Sequence, residues 1–503
     1  MLYETAGVIA ACTLVAWCIE YFCDDPREPP RVRAKIPIPG LGHVIGWLWN
    51  GFDYPNRIGK VSDAEVCTVG VLNSKIYVVK TPRLHSIVHK TKTLSMQQIT
   101  RNATNIHSGA SAEAHALFDA DVFQEFRTRT RSALLPSQGL DELNLRMAEY
   151  SVAEINEILG GKGDGSIELL RWSKHVILQS VSAGFYGVNH PFRDPEMEKA
   201  MWDWDKYRPT MHLKLDPFGK GTKARAKVFD ALERYFSDIP EDVSPVVLER
   251  KRVLEDLGGI KPEDALKMQA FLNDGNFNVV PMLYWAVYDI YSRPALLNAI
   301  RKEVTANAVQ RSESGINVLD MSAVKTKCPL LLGAYQETQR IRHMLPNSRY
   351  ILEDTLLDGR YLLKKGRMLY LPTKPIHYDT NIWGPRAAEY DPYRFMPDAK
   401  SEGGNQLASH FLPWGTAPYI CPARQFVSTG IMVTLAQLVL RVHLERADGR
   451  SWEDEPATQW LEIATLPTAR EEVNLVVKPR AEGGGTWSVI IGTPKTAVPL
   501  KSR

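Results

Sequence analysis

From Val122 to Leu272 apolar residues recur at three-to-four spacing, with few runs of alternating or β-branched character. A stretch this long at a helical period restricts the chain to a mainly helical body. Leu283 to Val304 extends the pattern past Pro294, and Val427 to His443 is a second strongly apolar helix candidate. Strand signals lie outside this body. Val66 to Val79 clusters β-branched residues around Asn73 and Ser74, which predicts a hairpin, and Pro82 then opens a short helix through His89. Tyr350–Leu352, Tyr361–Leu363 and Leu369–Leu371 each stand beside Gly or Asp turn residues, and Val473 to Ile491 alternates around Gly483–Gly485 as a further hairpin. The expected fold class is mainly α with small β-sheets near both ends.

The 503 residues contain no Gly-, Ser- or Pro-rich linker between residues 60 and 480, and no repeat at a solenoid period. One large unit over residues 46–503 fits better than separate domains. A formal net charge of +3 gives no footprint for nucleic acid. Of six cysteines, none form a CxxC pair, and their spacings match neither a disulfide framework nor a zinc site, so a reducing compartment is expected. Cys421 stands alone among them.

Ala6 to Cys23 is a mostly apolar run without a basic leader or a small-residue cleavage site, which reads as a membrane anchor within residues 1–25. Arg27, Arg31, Arg33 and Lys35 follow the run and only Glu4 precedes it, which places the body on the cytosolic side of the bilayer. Pro26, Pro29, Pro30, Pro37 and Pro39 make residues 26–45 a stiff hinge.

Phe411-Leu-Pro-Trp-Gly-Thr-Ala-Pro-Tyr-Ile-Cys421-Pro-Ala-Arg-Gln-Phe426 runs into the last long helix. Pro422 suits a first helical position, which would set Cys421 just before a helix N-terminus, where the dipole and free N–H groups favour a thiolate. The segment resembles the haem loop of the cytochrome P450 superfamily. It keeps the aromatic residue as Trp414, then Gly415 and Cys421. It departs at Ala417 and Ala423, each in place of glycine, and at Tyr419 in place of a basic residue. Glu337-Thr-Gln-Arg340 is similar to the family's ExxR motif, Pro392-Tyr-Arg394-Phe395 to the segment that locks it, and Trp383-Gly384-Pro385 precedes it in family order.

The resemblance covers essentially the whole chain and implies the P450 fold behind an N-terminal membrane helix. It implies haem b bound through Cys421, with Trp414, Gly415 and Tyr419 against the cofactor and Glu337, Arg340 and Arg394 as a structural core. Arg349, and one of Arg127, Arg129 and Arg131, stand where the family binds haem propionates. Arg424 matches a basic residue of no assigned role. Single-pass residence in the endoplasmic reticulum membrane, facing the cytosol, follows from the same likeness.

The central helix departs from the usual acid–alcohol pair. Asp274-Gly275-Asn276-Phe277-Asn278, followed by Pro281 and Trp285, places Phe277 at the acid and Asn278 at the alcohol. This arrangement, with Cys421-Pro422, resembles the branch of sterol 7α-hydroxylases and prostacyclin synthase. Asn278 is the candidate for holding water, dioxygen or a substrate oxygen, and Asp274 for a displaced proton donor. Substrate contacts are expected near Asn102–Ala112, the central helix, Leu345–Ser348 and Leu466–Thr468.

The implied activity is a monooxygenase acting on a lipophilic molecule such as a terpenoid, steroid or polyketide in secondary-metabolite biosynthesis. NADPH would act only indirectly, through a flavoprotein reductase. The branch also admits a reductase-independent isomerase or dehydratase. A haem-binding sensor or carrier is the non-enzymatic alternative.

Overall fold

The computed structural model describes residues 24–36, 38, 41–58, 63–71, 74–160, 165–213, 215–272, 276–397, 407–459, 462 and 464–501. The apolar run Ala6–Cys23, Pro37 and Pro39 of the hinge, and Asp274 with Gly275 lie outside these residues. No helix among the described residues is long and apolar enough to cross a membrane.

Helices occupy the span that the periodicity marks: Ala120–Ala133, Gln138–Leu159, Leu169–Tyr186, Pro195–His212, Lys220–Ser237, Pro245–Arg252 and Pro262–Leu272. Polar caps set their starts. Asp119, Ser137, Asp194 and Ser244 each accept from a backbone N–H of the first turn, and proline follows directly at Pro195 and Pro245. The main core forms where these helices meet the central helix Asn276–Tyr291 and the Cys-loop helix Arg424–Arg441, around Met147, Val176, Leu283, Trp285, Phe426 and Leu435.

The hairpin Val66–Val71/Ser74–Val79 forms with Val66 opposite Val79, and Pro82–Lys90 follows as a helix. The hairpin is one edge of a five-stranded sheet that continues through Met368–Leu371 and Asn347–Ile351 to Leu94–Ser95. Tyr361–Leu363 pairs apart from it, with Thr355–Leu357. Residues flanking Arg31 dock on this sheet: Val32 N donates to Thr68 O at 3.0 Å, and Thr68 N to Pro30 O at 2.9 Å.

Two expectations fail. The helix does not run through Pro294; it ends at Tyr291, and Pro294 opens a new helix to Ala308. Proline lacks the amide hydrogen and its ring displaces the carbonyl four residues back, so the first turn is where it fits. The tail is not a hairpin. Asn474–Pro479 pairs with Val442–Arg446 and Ser166–Glu168, while Trp487–Ile490 lies parallel to Asn317–Asp320 in another sheet. Gly483 crosses the end of the Cys-loop helix so closely that a Cβ would sit 2.5 Å from Leu440 O, which carries the chain past rather than back.

One buried carboxylate ties the central helix to the ExxR helix Pro329–Arg342. Asp289, fully buried, accepts from Arg342 Nη2 at 2.6 Å and Nε at 3.0 Å, from Thr338 Oγ1 at 3.0 Å, and from Arg293 at 3.3 Å. Its charge raises the pKa of Arg342 against the opposing effect of burial. Asp289→Ala should take from Arg342 its buried partner, leaving it only the exposed Glu455 at 2.7 Å, and cost about 3 kcal/mol of stability, read as a lowered denaturant midpoint at unchanged slope.

Candidate active site

Helical geometry puts Glu337 and Arg340 one turn apart on the same face, and the structure buries both completely. Arg340 grips Glu337 with Nε and Nη2, each at 2.7 Å. Arg394 Nε adds a bond of 3.1 Å to Glu337, and Asp391 N another of 2.9 Å. The remaining donors of both arginines go to carbonyls: Arg340 to His377, Ala387 and Glu389, and Arg394 to Trp383, Arg386 and Glu389. The three predicted core residues are thus one network.

His377 links this network to the cysteine loop and has no motif that would announce it. Leu412 N can only donate, so His377 Nε2 accepts from it at 3.1 Å and Nδ1 carries the proton given to Arg340 O at 3.0 Å. Burial holds its pKa well below the usual imidazole range, which keeps it in this neutral tautomer.

The loop is closed by Cys421 N donating to Trp414 O at 2.9 Å and Tyr419 N to Thr416 O at 2.7 Å. Gly415 has φ +76°, and a Cβ there would lie 3.1 Å from Tyr419 O, so glycine is required by both conformation and space. Trp414 is buried and its Nε1 has no partner. The helix begins at Arg424, not at Pro422, because Pro422 and Ala423 form a turn ahead of it. Cys421 is half-buried, keeping accessible surface although protein surrounds it. Burial pushes its thiol above the ordinary value; the Ala423 N–H and the charges of Arg424, Arg250 and Arg127 act the other way. The helix start alone therefore does not make a thiolate here, because desolvation outweighs it.

Of the three candidate arginines on the helix Ala120–Ala133, the structure selects one. Arg127 lies with its guanidinium 4.8 Å from the centre of the Tyr419 ring and donates to Pro418 O at 3.1 Å. Arg129 is exposed and pairs with Glu125, and Arg131 is exposed. Arg349, 1% exposed, approaches the same ring at 5.3 Å and donates to His89 Nδ1 at 2.9 Å. His89 Nδ1 also meets Thr416 Oγ1 at 3.1 Å, and burial with the nearby Arg349 charge holds His89 neutral, at about 3. Burial lowers Arg349 to about 10. Among the described residues no carboxylate lies within ion-pair distance of Arg127 or Arg349. Two desolvated cations without acids, on a ring two residues from a half-buried cysteine, fit a bound group that brings its own carboxylates and a metal for the sulfur.

On the central helix, Asn278 Oδ1 accepts from Thr465 N at 2.8 Å and Thr465 Oγ1 at 3.2 Å, and Trp285 Nε1 donates to Pro467 O at 2.6 Å. These bonds pin the turn at 464–468, and Thr465 is a partner that spacing does not reveal. Phe277 is buried beneath the Arg208 guanidinium, 3.8 Å from its ring centre. An open cleft of about 1680 Å³ lined by Lys174, His175, Glu198, Asp205, Arg208 and Glu462 reaches Thr468 at that turn and does not include Cys421. Its charge is unsuited to an apolar ligand.

The chain matches the sequence family Cytochrome P450 over residues 64–472. It is 30% identical over 473 residues to Cytochrome P450 monooxygenase nodJ of Hypoxylon pulicicidum, covering 91% of each chain. A Cytochrome P450 monooxygenase of Gibberella zeae is 25% identical over 463 residues, 88% of this chain and 87% of the relative. Cytochrome P450 7B1 of Mus musculus is 22% identical over 451 residues, 84% of this chain and 86% of that one. Family members work with haem iron, dioxygen and reductase-supplied electrons. With most of its length matched and a 30% identical relative aligned nearly end to end, the chain belongs to the cytochrome P450 family of haem-dependent monooxygenases.

Proposed function

We propose that this enzyme oxidises a lipophilic small molecule, such as a terpenoid, steroid or polyketide of secondary metabolism, and that Cys421 would bind the iron of its haem. The observation that carries the reading is the pair of carboxylate-free guanidiniums, Arg127 and Arg349, held on the Tyr419 ring beside a half-buried cysteine. In this reading Arg127 and Arg349 hold the two propionates. Tyr419, in place of the family's basic residue, serves as the surface that both cations stack on, while Trp414 and Gly415 shape the loop against the ring. Glu337, Arg340 and Arg394 fix the chain segments that support the loop.

A thiolate-bound haem supplies the dioxygen activation needed to place an oxygen atom in a C–H bond. The chain's own part is to hold an apolar substrate there and exclude water. Asn278 has a defined orientation for this. The Thr465 N–H occupies its oxygen, so Nδ2 is left as the donor, able to hold a water or a substrate oxygen but not to supply a proton. Asp274 is then the displaced proton donor. The loss of an acid at Phe277 does not decide between this reading and the second, an isomerase or dehydratase that needs no electrons.

Residues 1–25 anchor the protein in the endoplasmic reticulum membrane, residues 26–45 form the hinge, and residues 46–503 are the catalytic domain facing the cytosol, where an NADPH-dependent flavoprotein reductase reaches it. Support comes from large apolar side chains left in solvent: Trp49 at 65% and Phe218 at 78% exposure, with Leu48, Leu213 and Leu215.

Cys421→Ser should abolish the thiolate-type absorption of the reduced carbon-monoxide complex; an unchanged spectrum removes Cys421 from the site. Arg349→Leu should weaken haem retention roughly tenfold, the worth of one charge-assisted hydrogen bond, measured as haem transfer to an apo-globin acceptor. Against a panel of lipophilic substrates, product should form only with NADPH and reductase, whereas turnover without electrons would establish the isomerase.

A further inference from the structure

Buried cations in this fold generally face acids or carbonyls. Arg340 and Arg394 hold Glu337, Arg342 holds Asp289, and Lys325 holds Asp141 at 3.1 Å. Arg301 donates to Val439 O and Val442 O at a helix end. Arg250 does neither. It is 5% exposed on the helix Pro245–Arg252, and its Nε donates to the neutral hydroxyl of Thr130 at 3.1 Å. Its guanidinium lies between the rings of Phe126, at 5.5 Å, and Phe185, at 5.8 Å. Nη1 has no partner, and no carboxylate among the described residues is within ion-pair distance. A charge left this dry and unpaired is costly unless a counter-charge forms nearby.

The surroundings point to the cysteine loop. Phe185 packs on Phe426 at 4.9 Å, in the first turn of the helix that Cys421 leads into, so two packed rings connect Arg250 to the end of the loop. Tyr186 and Cys421 are the ionisable groups whose negative forms act on Arg250; a tyrosine is ordinarily neutral where a metal-bound cysteine is not, and Arg250 stays a cation at neutral pH because burial lowers it only to about 10. Arg424 and Arg127 also act on Cys421, but both are partly exposed and so better screened.

We infer that Arg250 is the buried counter-charge of the Cys421 thiolate, a positioning residue that raises the reduction potential of the haem iron. The inference rests on the assignment of Cys421 as ligand. A fixed positive charge favours the more negative ferrous state over the ferric one, so removing it should shift the equilibrium toward ferric. For a unit charge acting over roughly 10 Å at an effective dielectric near 20, such a shift is of the order of tenfold.

The test uses the full chain with its haem. The reduced carbon-monoxide spectrum is recorded first: a wild-type protein without the thiolate band refutes the ligand assignment and, with it, this inference. With that band present, redox titration without substrate should show Arg250→Met displaced toward ferric by roughly tenfold. Arg250→Lys should restore most of the potential, and Thr130→Val, which removes the hydrogen bond but keeps the charge, should leave it in place. An unchanged potential in Arg250→Met overturns the proposal, as does a shift in Arg250→Lys or Thr130→Val as large as in Arg250→Met. Should Arg250→Met fail to retain haem, Arg250→Gln is titrated against the same outcomes.

Discussion

Glu337, itself fully buried, accepts from Arg340 twice, from Arg394 and from the Asp391 amide. A carboxylate buried this way is tolerable only when its lone pairs are filled, and an arginine beside it only when its remaining N–H groups also find oxygens. Those N–H groups reach the carbonyls of His377, Trp383, Arg386, Ala387 and Glu389. Satisfying one ion pair therefore fixes several positions of irregular chain at once. His377 passes that constraint to Leu412, at the start of the loop that holds Cys421. The cysteine's place is set by a charge network that does not touch it.

What the sequence made legible was what short spacing encodes. A helical period marked the long body, and Glu337 and Arg340 meet because three residues of helix bring them to one face. Arg394 was found through its motif. Contacts between distant segments were not legible: His377 with Leu412, Thr465 with Asn278, and His89 with Arg349 have no local pattern, since the fold alone brings them together. The tail shows the same limit. Alternation around Gly483–Gly485 identifies strands but not their partners, and the close crossing at Leu440 sends the two strands to separate sheets. Arg127 and Arg131 share a helix face, so periodicity could not separate them; burial against Tyr419 does.

Replacing an acid by Phe277 and an alcohol by Asn278 changes what the central helix offers. A carboxylic acid gives up its proton and is recharged from solvent, whereas an amide keeps its hydrogens at any physiological pH. With its oxygen taken by Thr465, Asn278 is a fixed donor, and the same bond sets the turn at 464–468 where substrate contacts are expected. One hydrogen bond thus couples the residue nearest the expected chemistry to the loop that shapes the substrate space. A substitution in that turn would change the chemistry as well as the fit.

The arginines divide by partner, and the division separates folding from binding. Those facing carboxylates, on Glu337 and Asp289, cross-link the helical body and are satisfied by the chain itself. Arg127, Arg349 and Arg250 are buried or partly buried without acids, and all three gather around the segment from Tyr419 to Phe426. Arg301 and Arg441 are also buried without acids but bond to carbonyl and amide oxygens, whereas uncompensated positive charge in a dry interior opposes folding, so these three beside the loop call for a partner the polypeptide does not supply. Carboxylates and a thiolate supplied on cofactor binding would discharge that strain, and the free energy so released is stability gained by the bound form. The site therefore stabilises the protein through the group it holds, in the region where the chain by itself is least balanced.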